Sequence, residues 1–335
     1  MDKKFLYPII IIFSLFFLVA VWVLYNQAKQ SALKKTSLSG TIEFEKISQD
    51  ELVYYLDNDD VGLKTYNFQT NQKKDLYKKP LGHVLTLEWS HDIKKTLTKV
   101  EVSPIGKYRG ILHTPSIDTD QPIFWLIDVV SNIATPLDKN IISADWLSED
   151  KIIYIYNNSG KYSLNQADPD GANWQKLVDL DKEFTGLKVS PDGKKVALFP
   201  QLSIYDVATK KISAAQISTV SDVQWSPDSQ QIAVFTSDKT QIYNIAKNQA
   251  AALKEKIDSN KFIWLSNEEA IIAKSGKYGD EIYKLNINTQ KTKSLFKSTK
   301  KQPIEVENFL LSPDTKKLYL VNKKDYYLYE ITLEK

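Results

Sequence analysis

The chain has 335 residues, with 44 Lys+Arg, 41 Asp+Glu, three His, one Met and no Cys. That excludes a disulfide framework, thiolate zinc sites and a cysteine nucleophile, and 42% hydrophobic with 25% charged residues is a globular composition rather than a disordered one. The net charge of +3 is uneven: residues 1–40 hold five lysines against one aspartate, which leaves −1 for residues 41–335, and Arg109 is the only arginine. A chain without clustered Lys/Arg does not read as a nucleic-acid binder.

Residues 1–4 form a short head. Residues 5–25 (FLYPIIIIFSLFFLVAVWVLY) carry no charge and predict a transmembrane helix, because ~20 apolar residues at ~1.5 Å each cross a ~30 Å hydrocarbon core. Tyr7, Trp22 and Tyr25 sit near its ends, where amphipathic rings favour the headgroup level. The run exceeds the ~7–15 residues of a signal-peptide core and no small-x-small cleavage site follows. The expectation is therefore a retained single-pass signal anchor in the cell membrane. Lys3 and Lys4 before the span nearly balance Lys29, Lys34 and Lys35 after it. The short head favours an inside N-terminus, with the large domain outside the cytoplasm. Residues 26–40 read as a polar tether.

From residue 41 the pattern becomes that of strands: apolar blocks rich in Val, Ile, Tyr and Phe, separated by turn residues. Three segments align without gaps: 189–199 (VSPDGKKVALF), 225–235 (WSPDSQQIAVF) and 311–321 (LSPDTKKLYLV). Weaker copies occur at 47–54 (ISQDELVY), 146–154 (WLSEDKIIY) and 264–272 (WLSNEEAII). A further copy lies either at Trp89-Ser90-His91-Asp92 or at Val102-Ser103-Pro104-Ile105-Gly106-Lys107, and the second matches the motif better. Both choices yield seven copies.

The motif residues Ser190, Pro191, Asp192, Gly193, Ser226, Pro227, Asp228, Ser312, Pro313 and Asp314 have a turn chemistry. Pro pre-sets φ, Asp can accept backbone amides, and Gly or Ser tolerates the reversal. A third strand follows at 204–206, 242–244, 282–284 and 328–330, then a short fourth one, as at 211–214 and 291–295; only 246–256 is ambiguous. Four antiparallel strands recurring every ~40–45 residues predict an all-β propeller over 41–335, with seven blades preferred and six or eight open.

These turns, with Trp or an apolar residue ahead and Ile-Tyr downstream, resemble the WD-repeat-like units of TolB-type propellers. The Asp-Gly hairpin at 165–174 (NQADPDGANW) resembles that between their third and fourth strands. The resemblance implies a non-enzymatic, often extracytoplasmic module that binds or scaffolds proteins. The last blade lacks a visible fourth strand. Either 36–41 supplies it or the blade has three strands.

Little else in the sequence points to chemistry. No Gly-x-Ser-x-Gly elbow or phosphate loop is present, and His83, His91 and His113 lack metal-ligand spacing. The acidic stretch 57–62 (DNDDVG) and Asp118-Thr-Asp120 lack a full calcium-loop spacing. The sequence therefore assigns no catalytic, cofactor or metal residue and no cofactor. The expected partner is an envelope protein, a wall polymer or a small ligand at the propeller mouth. An envelope hydrolase or lyase using carboxylates in the central cavity is the alternative.

Overall fold

The computed structural model describes residues 33–39, 41–46, 51–56, 62–77, 83–101 and 122–333. The expected head and membrane segment lie outside the described residues, as do Ser103, His113 and the acidic stretches at 57–61 and 118–120. Among the described residues no helix is long and apolar enough to cross a membrane.

Among the described residues, twenty-eight strands form seven antiparallel four-stranded sheets. Blade 1 is β2 (Thr41–Lys46), β3 (Glu51–Leu56), β4 (Gly62–Asn67) and β5 (Lys73–Tyr77). Blade 2 is β6 (His83–Trp89), β7 (Lys95–Glu101), β8 (Ile123–Asp128) and β9 (Ile133–Pro136). Blade 3 is β10 (Ile141–Ser148), β11 (Lys151–Asn158), β12 (Lys161–Ala167) and β13 (Gln175–Leu180). Blade 4 is β14 (Gly186–Val189), β15 (Lys195–Phe199), β16 (Ser203–Asp206) and β17 (Lys211–Ala214). Blade 5 is β18 (Val220–Trp225), β19 (Gln231–Thr236), β20 (Thr240–Asn244) and β21 (Gln249–Ala252). Blade 6 is β22 (Phe262–Trp264), β23 (Glu269–Ser275), β24 (Asp280–Asn286) and β25 (Thr292–Lys297). Blade 7 is β26 (Val306–Leu311), β27 (Lys317–Asn322), β28 (Tyr327–Thr332) and, from the other end of the chain, β1 (Lys34–Ser39).

The first strand of each blade is innermost. β10 lies against β14 and β26 against β2 and β22, whereas the fourth strands β17 and β21 are exposed along their whole length. Blades bury their apolar faces against one another: Leu97, Phe124 and Leu126 of blade 2 meet Ala144, Trp146, Ile152 and Tyr154 of blade 3. At ~25 cal/mol per Å² of apolar area removed from water, these seams are the main source of stability.

The Ser-Pro-Asp turns join first and second strands through one repeated network. Ser190, Ser226 and Ser312 each donate Oγ–H to the aspartate two residues on, at 2.7 Å. Each hydroxyl also accepts the amide five residues on, from Lys195, Gln231 or Lys317. The same aspartate oxygen accepts the amide of Lys194, Gln230 or Lys316, at 3.1 Å. The fourth turn position is left-handed, with φ of 68° at Gly193, 61° at Ser229 and 54° at Thr315. Such a φ favours glycine, and a Cβ at Gly193 would also lie 2.9 Å from the Leu147 carbonyl oxygen.

Blade 2 decides between the two turn positions that the sequence left open, and not in favour of Ser103, which matched the motif better. The turn is at Ser90, between β6 and β7, with Ser90 donating to Asp92 at 2.8 Å and accepting the Lys95 amide at 3.0 Å. His91 stands where the other copies have Pro, and Ile93 takes the left-handed position with φ 57°. The extra length falls after β7, in residues 102–121.

β1 resolves how the ring closes. It pairs with β28 (Lys34↔Glu330, Lys35↔Tyr329, Ser39↔Tyr327), so residues 34–39 of the expected tether belong to the propeller. Leu38 is fully buried with Leu52 and Tyr66 of blade 1 and Tyr319, Val321 and Leu328 of blade 7. Thr36 donates to the Leu328 carbonyl at 2.9 Å, and Lys35 reaches Asp325 at 2.9 Å while lying over the Tyr327 ring.

Two outcomes follow. A chain starting at residue 33 keeps its all-β circular dichroism and cooperative unfolding, whereas one starting at residue 41 loses β1 and unfolds at markedly lower urea, since Leu38 alone contributes ~2–5 kcal/mol. Ser226→Ala leaves the Gln231 amide without its hydroxyl partner and costs ~1–3 kcal/mol. Chemical denaturation measures it, and an unchanged midpoint would refute the turn's structural role.

Candidate functional site

Side chains from four successive innermost strands converge on the central channel. Lys188 of β14 pairs with Glu88 of β6 across the intervening blade. Their side chains keep 34% and 26% of their surface exposed, so water in the channel reaches both. Asp145 of β10 accepts the Val189 amide from blade 4 and the Trp146 amide next to it, both at 2.7 Å. Asp222 of β18 accepts the Val223 amide at 2.8 Å.

Tryptophans at the ends of these strands tie the inner layer together. Trp146 donates its indole N–H to the Glu88 carbonyl at 2.8 Å, Trp225 to that of Lys188 at 3.0 Å and Trp264 to that of Gln224 at 3.1 Å. Each bond crosses from one blade to its predecessor. The Trp placed before several turn serines is thus both seam filling and a hydrogen-bonded strut.

Burial at the channel wall pushes the Asp145 carboxyl up to about 7, and the Glu88 charge adds to this; Lys188 and the two amides oppose it. For Lys188 burial works to lower the amine, but Glu88 and Asp145 outweigh it and hold the group above its ordinary value. Lys99 on β7 also reaches the channel. Burial lowers its amine, which donates to the Ile142 carbonyl at 2.9 Å and lies 5.3 Å from the Phe124 ring centre.

Glu88, Lys99, Lys188 and Asp222 edge a cavity of about 420 Å³, and Asp145 is not among its lining residues. Its walls come from residues 85–88 of β6, 142–144 of β10, 185–188 at β14 and 221–222 of β18, and from Lys99, Phe124 and Phe199. It therefore occupies the half of the ring remote from the Ser-Pro-Asp turns. Among the described residues no group of three His, Cys, Asp or Glu side chains is placed to hold a metal ion.

A second concavity of about 500 Å³ lies on the turn-bearing face, at the seam of blades 2 and 3. Asp128, Ile133, Asp150, Asp168 and Asp170 line it, with Lys95 and Lys151. The three most exposed large hydrophobic side chains of the described chain flank the same seam: Val130 (73%), Trp174 (59%) and Ile133 (55%).

The sequence-derived turn residues stand apart from both concavities, and their hydroxyls and carboxylates are engaged in the turns. Glu88, Asp145, Lys188 and Asp222 were missed. The available signal was their position two to four residues ahead of a turn serine, on strands whose alternate residues must face the channel.

No protein-family model matches this sequence, and no curated protein does. Solved structures do resemble the fold. A chain of the mitotic checkpoint complex aligns with TM-score 0.59 at 14% identity, over 91% of this chain and 92% of that one. The Cps50 (Swd1) β-propeller domain of Myceliophteria thermophila aligns with TM-score 0.60 at 9% identity, over 90% and 100%. TolB from Acinetobacter baumannii gives TM-score 0.46 at 15% identity, over 76% and 66%. At such identities the likeness speaks to architecture, and it agrees with a seven-bladed β-propeller.

The Asp145 environment predicts a pH dependence. A carboxyl raised in the folded state contributes most below its unfolded value near 4, and that contribution is lost as pH rises through about 7. Wild-type stability therefore declines between about pH 4 and 7 and the decline flattens in Asp145→Asn, whose amide oxygen can still accept the Val189 N–H. Urea midpoints across that range test it; parallel wild-type and variant profiles would refute the assignment.

Proposed function

We propose that this chain is a membrane-anchored propeller that works outside the cytoplasm as a non-enzymatic scaffold, and that it binds a partner protein at the seam of blades 2 and 3. The observation that carries this reading is the exposed Ile133 on the groove wall, with Val130 and Trp174 exposed on the two hairpins that supply much of its lining. Exposed apolar side chains scattered singly need no explanation, but a cluster around a concavity is the anatomy of an interaction site. Four aspartates against two lysines in the lining call for a partner segment that combines basic and apolar side chains.

The anchor reading rests on residues 5–25, and the direction of β1 supports an orientation. β1 enters its sheet opposite Glu330, near the end of β28, where Leu333 bonds to the Lys316 carbonyl of the last Ser-Pro-Asp turn. The chain preceding β1 therefore leaves from the turn-bearing face. Eight residues, 26–33, separate it from the apolar run, a reach of at most ~30 Å. The groove would then face the membrane side, where its aspartates disfavour anionic headgroups, and its partner would be a membrane-proximal protein.

One observation favours a catalytic alternative. A carboxyl raised towards neutrality beside a second carboxylate is the pattern of general acid–base sites. Against it, Glu88 is paired with Lys188, and Asp145 and Asp222 each hold backbone amides. These commitments make the trio wall structure first.

Full-length protein with a photo-crosslinker at residue 131 should give discrete adducts in membranes. Ile133→Ser with Trp174→Ser should weaken capture by ~30-fold or more, as expected for loss of an aromatic anchor, with the fold intact. Equal capture by the variant would overturn the site, and protease protection of the propeller in sealed, right-side-out cells would overturn the location.

A further inference from the structure

The channel cavity is a second site, on the opposite half of the ring from the groove, and it asks for a different ligand. Its charges cancel: Lys99 and Lys188 line it together with Glu88 and Asp222. Such a site gives a net anion or cation no general advantage. Its volume of about 420 Å³ is that of a small-molecule pocket, and its walls are rigid inner strands rather than loops.

The polar groups in it have capacity in reserve. Thr86 and Lys99 are direct cross-strand partners and Lys99 is in turn opposite Phe124, so the three form one row across blade 2. Lys99 donates one hydrogen bond to Ile142 and has no acidic partner among the described residues. Thr86 and Thr185 are exposed along the cavity wall. Across from this row, Gly186 pairs with Phe199, whose ring lies where a Cβ would sit, 2.1 to 2.8 Å away. That close approach lays the Phe199 ring against the wall of the cavity.

A partly buried aromatic ring, two exposed hydroxyls, an ammonium with unused protons and two carboxylates suit a ligand with an apolar C–H face and many hydroxyl groups. Hydroxyls both donate to carboxylates and accept from the ammonium, so they use every polar group present. A flat apolar molecule would leave those groups unmatched, at a cost. We propose that the channel pocket between blades 2 and 4 is a carbohydrate site that takes a neutral ligand of one or two sugar rings.

The test uses the full chain in a polyoxyethylene detergent, which carries no sugar headgroup. Probes are glucose, N-acetylglucosamine, cellobiose and chitobiose, with citrate and spermidine as charged controls, read by saturation-transfer NMR and calorimetry. At least one neutral sugar should bind at millimolar or better affinity. Phe199→Ala and Lys99→Met should each weaken it about tenfold or more, equivalent to ~1.4 kcal/mol, while Ile133→Ser leaves it unchanged. Thr185→Val, at an exposed position, serves if Phe199→Ala fails to fold. Absence of saturation transfer from all four sugars at about 10 mM, well above a millimolar Kd, or preference for citrate or spermidine, would overturn the sugar site and leave the protein-docking reading standing. A sugar that is bound and then cleaved, seen by mass spectrometry, would uphold the site and overturn the non-enzymatic reading instead.

Discussion

The pairing of β1 with β28 joins the two ends of the chain across nearly 300 residues, and the ring depends on it. Each blade is a small twisted sheet with two apolar faces that only its neighbours can cover. An open arc of seven blades would leave two of those faces wet. Blade 7 covers blade 1 through Leu38, which packs on Leu52 and Tyr66 on one side and on Tyr319 and Leu328 on the other. Without β1, β28 would present an unpaired edge, a hazard for aggregation.

Closure also determines what the channel can contain. Inner strands converge towards the axis, so their inward side chains are crowded and partly cut off from bulk water. Charges are tolerated there only when matched. Glu88 and Lys188 match each other from blades 2 and 4, and Asp145 between them yields by shifting towards its protonated form. Asp145 and the tryptophan indoles also bind backbone groups of adjacent blades, which couples the electrostatics of the channel to the registration of the ring.

Propeller geometry separates two kinds of surface. First–second and third–fourth strand connections share one face, so the Ser-Pro-Asp turns and the hairpins bearing Val130 and Trp174 lie together, with the departing N-terminal chain. The sugar-sized pocket is in the other half. A ring of this kind can therefore offer separate surfaces on its turn-bearing face and in its channel. The two readings can stand or fall separately.

Repetition made the architecture legible in the sequence. Ser-Pro-Asp turns are local devices whose hydrogen bonds span five residues, so their chemistry is written in contiguous residues at Ser190, Ser226 and Ser312. The blade count and the strands around them followed. In blade 2 the true turn was only the weaker of two candidates because His91 and Ile93 replace the Pro and Gly that advertise the turn, although its hydrogen bonds are the same. The closing strand was legible only as one of two options, since nothing in residues 34–39 names a partner at residue 330. The channel was not legible at all. Glu88 and Lys188 are 100 residues apart, and their meeting is a consequence of how far each blade turns about the axis. By itself the sequence determined an all-β ring of repeated blades and an apolar N-terminal run. Tertiary structure alone decided which charges face one another, because that contact exists only between blades.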